Sequence, residues 1–211
     1  MNIELQPSPV RPGRMTSAQF RTFQNGRPDR ERWELVAGVP MMMTPPTIAH
    51  NRIAGNLESL LNGALSRYLP DRLATQRPGV DLSSGDYRPE PDVAVIEADY
   101  EADQRFVDRA YLLAEVVSDT DEMRVPGTDK KWIDVKRAIY LEHPACEVVL
   151  IAEQDRMELR VDVKSEKGWT STTLRGGDEL HLAAFGLRCD VADLYEGTPL
   201  NPRPTPGRRL G

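Results

Sequence analysis

The sequence predicts an α/β fold in which helices flank a mixed β-sheet. One long segment, residues 47–68, repeats apolar side chains at helical spacing. Short, nearly continuous apolar runs, which are typical of strands buried on both faces, occur at 92–96, 110–117 and 148–151. Alternating apolar and polar residues, which are typical of paired antiparallel strands, occur at 157–163 and 169–174.

The first third of the chain predicts a helix, a hairpin and a second helix. Residues 16–24 form a short amphipathic helix that Thr16 can cap. Two apolar runs around a small-residue turn predict a hairpin over 33–44, and Pro40 places its second strand at an edge. The long helix follows a second capping residue, Thr47.

The remaining elements follow from the same reasoning. They are an interrupted strand within 73–82, polar loops at 98–109 and 119–128, a helix at 129–142 and a helical turn at 191–195. We expect one domain over 15–197, between a flexible N-terminal arm (1–14) and a flexible C-terminal tail (198–211), because both ends are rich in proline.

Composition restricts the class of protein. The 211 residues include 39% hydrophobic and 28% charged residues, which is typical of a soluble globular chain and not of a disordered one. The sequence contains no apolar run of membrane-spanning length and only two cysteines, so we expect a protein of the reducing cytoplasm. The net charge of -6 argues against strong non-specific DNA binding, although it leaves room for a local basic groove.

Two acids stand at places where a carboxylate loses its hydration. Asp92 opens one apolar strand and Glu115 lies inside the next. Two carboxylates on neighbouring strands could hold Mg²⁺ or Mn²⁺, which activates water for phosphodiester hydrolysis. Lys136, on the following helix, could reach the same strand ends and stabilise a developing oxyanion. Glu34, in the first strand of the hairpin, could add a third oxygen ligand.

Each of these residues also has a structural interpretation. Asp92 could cap a turn, and Glu115 could be a buried acid paired with an arginine or with Lys136. Lys136 could be a solvated helix residue, and its role could instead fall to Lys130, Lys131 or Arg137. Glu34 could be an exposed acid paired with Arg32.

Several motifs in the same order resemble those of the Uma family, restriction endonuclease-like proteins of the PD-(D/E)XK nuclease superfamily. The matching segments, with the family's pattern in brackets, are 33–38 (YELVDG), 44–46 with His50 (SPP…H), 91–95 (PDVAV), 115–118 (EVLS) and 136–140 (K…Y). The resemblance runs from about residue 16 to residue 197, and it implies a restriction-endonuclease-like core, a divalent metal and cleavage of DNA.

The resemblance implies that Asp92, Glu115 and Glu34 ligate the metal and that Lys136 acts on the attacking water or the phosphate. The chain departs from the pattern at three places. Val117 stands where the superfamily's lysine follows the acid, so the lysine must come from the helix. Ala37 and Trp132 each replace an aspartate that is common in the family.

The sequence leaves three functions open. The first is a Mg²⁺- or Mn²⁺-dependent DNA endonuclease, which by family analogy would be a homodimer because paired cuts need two sites. The second is a catalytically inactive binding or regulatory module on the same scaffold, which the acidic net charge favours. The third is a metal-dependent hydrolase that acts on a substrate other than DNA.

Overall fold

The computed structural model describes residues 14–28, 30–82, 87–125 and 127–203. The predicted arm 1–14, except Arg14, and residues 204–211 of the predicted tail lie outside the described residues. The helices of the described chain are α1 (Ser17–Asn25), α2 (Ile48–Tyr68), α3 (Trp132–Glu142) and α4 (Val191–Leu194), with a 3-10 turn at Ala183–Phe185. None of these helices is long and apolar enough to cross a membrane.

Twelve strands occur in the described part of the chain. In order they are β1 (Trp33–Val36), β2 (Val39–Met42), β3 (Arg72–Gln76), β4 (Gly79–Val80), β5 (Val93–Glu97), β6 (Phe106–Val107), β7 (Leu112–Val116), β8 (Val148–Ala152), β9 (Glu158–Ser165), β10 (Gly168–Arg175), β11 (Glu179–Leu182) and β12 (Leu187–Asp190).

Six of these strands form one mixed sheet in the order β10-β9-β8-β7-β5-β3. Its neighbouring strands pair antiparallel, except that β7 and β8 are parallel. A parallel pair cannot be joined by a tight turn and needs a crossover connection. Helix α3 is part of that crossover, and it packs against the sheet beside β7 and β8.

The sheet is covered on both faces, as the predicted α/β class requires. On one face, α2 packs its buried stripe of residues four apart, Ile53, Leu57, Leu61 and Leu65, against the sheet together with α4 and the β11–β12 pair. On the other face, α3 and the β1–β2 hairpin cover β5, β7 and β8 with a second apolar cluster. The predicted fold class is confirmed.

Most predicted elements occur where the sequence placed them, but α3 starts later than the predicted residue 129. Arg124 pairs with Lys131 in an isolated bridge, and the Val125 amide donates to the Lys130 carbonyl at 2.9 Å. These contacts hold the backbone of the expected first turn outside the helix, which therefore begins at Trp132.

A C-terminal strand containing His181 was expected, but its pairing with β12 in a hairpin and the two-residue strand β6 were not predicted. Each strand of the hairpin has four residues, so its alternation of apolar and polar positions is too short to stand out. Leu180, Leu182 and Leu187 are nevertheless buried against the α2 face of the sheet. The start of the predicted tail continues this packing, because Thr198 is buried and the Asn201 side chain donates to the Ala192 carbonyl at 2.9 Å.

Candidate active site

Glu115 lies in β7 beneath the crossover helix α3. Lys136 Nζ donates to Oε2 of Glu115 at 3.0 Å, and the Tyr140 hydroxyl donates to Oε1 of the same carboxylate. Lys136 and Tyr140 are four residues apart, so they share one face of α3. Because α3 crosses over between the parallel strands β7 and β8, this face lies against the strand that carries Glu115.

Asp92 directly precedes β5, and the pairing of β5 with β7 brings it to the same end of the sheet as Glu115. Its Oδ2 accepts a hydrogen bond from the Val116 amide at 3.0 Å and lies 3.0 Å from Nε2 of His50 in the first turn of α2. Its Oδ1 is buried, accepts no hydrogen bond from any described residue, and lies 3.6 Å from Nη2 of Arg32.

Glu34 projects from the buried strand β1 of the hairpin into the same cluster. Its Oε2 accepts a hydrogen bond from the Trp132 indole at 2.7 Å, and its Oε1 accepts one from the Glu90 amide at 3.1 Å. Oε1 also lies 3.2 Å from Lys136 Nζ. Both oxygens of this fully buried carboxylate are therefore engaged by protein groups.

Asp121, in the loop between β7 and α3, completes the surroundings of Lys136. Its Oδ2 accepts hydrogen bonds from the amide and the hydroxyl of Ser118, at 2.9 and 2.5 Å. Its Oδ1 lies 2.9 Å from Lys136 Nζ. The lysine ammonium thus stands between three buried carboxylates, those of Glu34, Glu115 and Asp121.

The pKa values in this cluster are displaced by burial and by neighbouring charges. Burial opposes ionisation of Asp92, but the hydrogen bond and charge of His50 and the charge of Arg32 outweigh it and lower the pKa of Asp92 to about 2. Burial raises the pKa of Glu115 well above its ordinary value, and the ammonium of Lys136 offsets part of this effect. Burial disfavours the charged form of Lys136, but the surrounding carboxylates outweigh burial and raise its pKa.

A cavity of about 80 Å³ opens onto this cluster. Its lining includes Asp92, Glu115, Asp121, Lys136 and His50. One water molecule needs about 10–15 Å³ of such space, so the cavity has room for several waters or for a small hydrated ion. The acids, the lysine and the histidine therefore border a single solvent-sized space.

The structure brings together all four site residues that the sequence indicated: Asp92, Glu115, Lys136 and Glu34. Each comes from a different element or its immediate flank, namely the start of β5, β7, α3 and β1. Among the residues that the structure describes, no set of three or more His, Cys, Asp and Glu side chains is arranged to hold a metal ion.

Three members of the cluster had no assigned role in the sequence analysis. Trp132 and Tyr140 both donate to the acids, and with Lys136 they stand at spacings of four along α3, a repeat that could have indicated a shared face. Asp121 lies in a polar loop, where no pattern separates it from the neighbouring acids.

The comparisons with known proteins concern the family and the fold of this chain. A family model described as "Uma2: Putative restriction endonuclease" matches residues 17–192. The fold is similar to the crystal structure of a putative nuclease belonging to DUF820 from Anabaena variabilis ATCC 29413. The superposition of the two structures has a TM-score of 0.64. The sequences are 15% identical, and the match covers 86% of this chain and 97% of the Anabaena chain. No curated protein matches this chain significantly.

Fold and cluster together define a protein with a nuclease-like mixed α/β core. The family match covers most of the chain, so this protein belongs to the Uma2 family of putative restriction endonucleases. The resemblance predicted from its motifs is confirmed, and family membership supports nuclease function in general.

Proposed function

We propose that this protein is a divalent-metal-dependent DNA endonuclease that hydrolyses phosphodiester bonds at the cavity beside Asp92 and Glu115. The observation that carries the proposal is the convergence of these two acids and Lys136 on one small cavity, from three elements that are distant in sequence. This is the set of groups that metal-assisted attack of water on a phosphodiester needs.

The charge of the cluster supports a divalent cation. Four buried carboxyl groups, those of Glu34, Asp92, Glu115 and Asp121, surround two permanent cations, Lys136 and Arg32. Asp92 Oδ1 is a buried oxygen with no hydrogen-bond donor among the described residues. An Mg²⁺ ion usually keeps several waters and takes only one or two protein carboxylates, so Asp92 and Glu115 fit it without a third acid.

Asp92 and Glu115 would hold the metal, which when bound supplies an activated water and offsets charge on the phosphate. Lys136 borders the cavity, so an incoming phosphate oxygen or water can replace one of its carboxylate partners. We expected Glu34 to be a third ligand. Because Glu34 does not line the small cavity, whereas Asp92 and Glu115 do, we assign it to holding Lys136 and Trp132 in place.

His50 acts on Asp92 rather than on substrate in this proposal. Its Nε2 contacts Asp92 Oδ2, which leaves Oδ1 as the free oxygen, while its own Nδ1 is buried without a hydrogen-bond partner among the described residues. The homodimer and the cytoplasmic location remain predictions from the sequence.

Plasmid nicking tests the function. We expect purified protein to convert supercoiled plasmid to the nicked form with Mn²⁺ or Mg²⁺ and to lose this activity in EDTA. The variant Asp92→Asn keeps the shape of the side chain but removes its charge. Loss of an outer-shell partner of a metal ligand typically costs about 10- to 100-fold, so loss of the ligand itself should lower nicking by about 100-fold. The matched control is Asp99→Asn, an exposed acid outside the cluster, which should nick like wild type.

Equal nicking by Asp92→Asn and wild type would indicate a contaminating nuclease and would refute the proposal. The melting temperature of each variant must be measured beside its activity, so that loss of the fold is not mistaken for loss of the site.

A binding or regulatory module without catalysis is the second candidate. It is favoured by the pairing of Glu115, whose two oxygens already accept hydrogen bonds from Lys136 and Tyr140. Calorimetric titration with Mn²⁺ separates the two candidates, because an inactive module predicts no binding near neutral pH. Assays on RNA and on small phosphoester substrates would distinguish a DNA endonuclease from a hydrolase that acts on a different substrate.

A further inference from the structure

A second and larger cavity, of about 580 Å³, lies next to the candidate active site. Segments around α1, β1, β3, β4 and β6 form its walls. Its described lining contains two acids, Glu31 and Glu90, and five arginines: Arg27, Arg30, Arg32, Arg77 and Arg105. We call this cavity the arginine groove. Such a concentration of positive charge is unexpected in a chain with a net charge of -6.

The arginine groove adjoins the candidate active site at Arg32. This residue lines both cavities, and its guanidinium lies 3.6 Å from Asp92 and 3.4 Å from Glu90. Asp92 and Glu90 already pair with Arg32. The charge for a ligand therefore comes from Arg27, Arg30 and Arg77.

Arg77 stands in the groove in an unusual backbone conformation. Its φ of 54° lies in the left-handed region, which costs a non-glycine residue about 1 kcal/mol or more and is found disproportionately at functional sites. Its guanidinium donates to the Asn51 side chain at 3.1 Å. Burial, followed by the charge of Arg32, lowers the pKa of Arg77, and the nearby acids Asp92, Glu90 and Glu115 offset part of this effect.

Aromatic side chains accompany the arginines. Arg27 lies over the rings of Phe23 and Trp33, at 4.4 and 5.2 Å from their centroids, so its planar cation is held at the wall. Tyr100, also in the lining, is 56% exposed. In proteins that bind single-stranded nucleic acid, basic side chains contact the phosphates and aromatic rings stack on the bases.

We propose that the arginine groove binds the phosphate backbone of the DNA substrate beside the bond that is cleaved. Arg27, Arg30 and Arg77 contact phosphates, and Tyr100 meets a base at the rim. The scissile phosphate would occupy the small cavity, and the strand would pass Arg32 into the groove. This inference rests on the proposed function, since it assigns the path of that substrate.

Binding can be measured without cleavage by the fluorescence anisotropy of a labelled 20-base-pair duplex in EDTA at about 0.1 M salt. The test variants are Arg77→Gly and Arg30→Ala. Each lost phosphate contact should weaken binding about fivefold to tenfold and reduce the slope of log K against log salt by about 1. The double variant should show the sum of both effects in the slope.

Arg77→Gly also separates binding from folding. Glycine adopts a positive φ without strain, so its melting temperature should not fall below that of wild type while its affinity does. The matched control is Arg188→Ala, which removes the same charge from an exposed position on β12, where Arg188 pairs with Glu179. We expect this control to bind like wild type.

The outcomes distinguish this inference from the proposed function. If Mn²⁺-dependent nicking occurs and requires Asp92 but both arginine variants bind DNA like Arg188→Ala, the groove assignment is refuted and the endonuclease proposal stands. If no nicking is found but the arginine variants lose affinity, the groove assignment is supported as a DNA site and the endonuclease proposal fails. Equal losses in all three arginine variants indicate a net-charge effect and refute the groove.

Discussion

At the scale of single residues, Lys136 shows how the cluster tolerates so many buried acids. Burying an ammonium group costs several kcal/mol unless close partners compensate for its lost hydration. Lys136 Nζ lies within 3.2 Å of oxygens from Glu34, Glu115 and Asp121, and it donates a hydrogen bond to Glu115. The ammonium and the carboxylates therefore depend on each other for stability.

We expect Lys136→Met to destabilise the fold by about 3–5 kcal/mol, because it leaves three buried carboxylates without their shared cation. Urea denaturation measures this change. The control is Lys130→Met, which removes the same charge from an exposed residue close to the start of α3 and should shift stability by less than about 0.5 kcal/mol. Similar midpoints for the two variants would mean that the cluster does not need the lysine charge for folding.

At the scale of elements, two connections set the geometry of the site. The crossover through α3 aligns Trp132, Lys136 and Tyr140 over the acids. The hairpin turn between β1 and β2 holds Glu34 in place, and it requires positive φ at both central residues, 50° at Ala37 and 79° at Gly38. That pattern is the type I′ turn that fits the twist of paired strands.

Gly38→Ala should therefore destabilise the protein by about 1–2 kcal/mol. Its φ is unfavourable for alanine, and an added Cβ would lie 2.8 Å from Cβ of Arg14. The matched change is Gly63→Ala in α2, where an added Cβ meets nothing within 4 Å and should stabilise the helix by about 0.5–1 kcal/mol. Thermal unfolding of both variants checks the opposite signs, and a stabilised Gly38→Ala would contradict this view of the turn.

At the scale of the whole molecule, charge is divided between two neighbouring cavities. The small cavity faces buried acids, and the arginine groove collects cations that the acidic composition conceals. A divalent cation would offset the excess negative charge of the small cavity, and a polyanion would offset the excess positive charge of the arginine groove. Under the proposed function, the metal and the DNA strand would bind at two neighbouring cavities that share Arg32.

We expect Mn²⁺ to raise the melting temperature of the wild-type protein. A ligand at 100 times its Kd stabilises the folded state by about 2.7 kcal/mol, which corresponds to roughly 5–10 °C for a domain of this size. Differential scanning fluorimetry with a Mn²⁺ series measures the shift. Asp92→Asn should lose most of it, whereas Asp99→Asn should keep it. A shift of the same size in both variants would assign the bound ion to another place.

The sequence by itself determined the class of fold, the order of its main helices and strands, and the four residues that meet at the candidate site. Periodicity and buried apolar runs carry that information because they follow from local geometry. Asp92 and Glu115 also stood out locally, since an acid at such positions needs compensation wherever the strand lies.

Only the tertiary structure decided which contacts each of these residues makes. The engagement of both Glu34 oxygens, the contact between His50 and Asp92, and the place of Asp121 beside Lys136 depend on side chains up to about a hundred positions apart in the chain. The arginine groove likewise gathers segments that are scattered in sequence. Contacts of this kind arise when the sheet pairs and the crossover closes, so no local pattern in the chain encodes them.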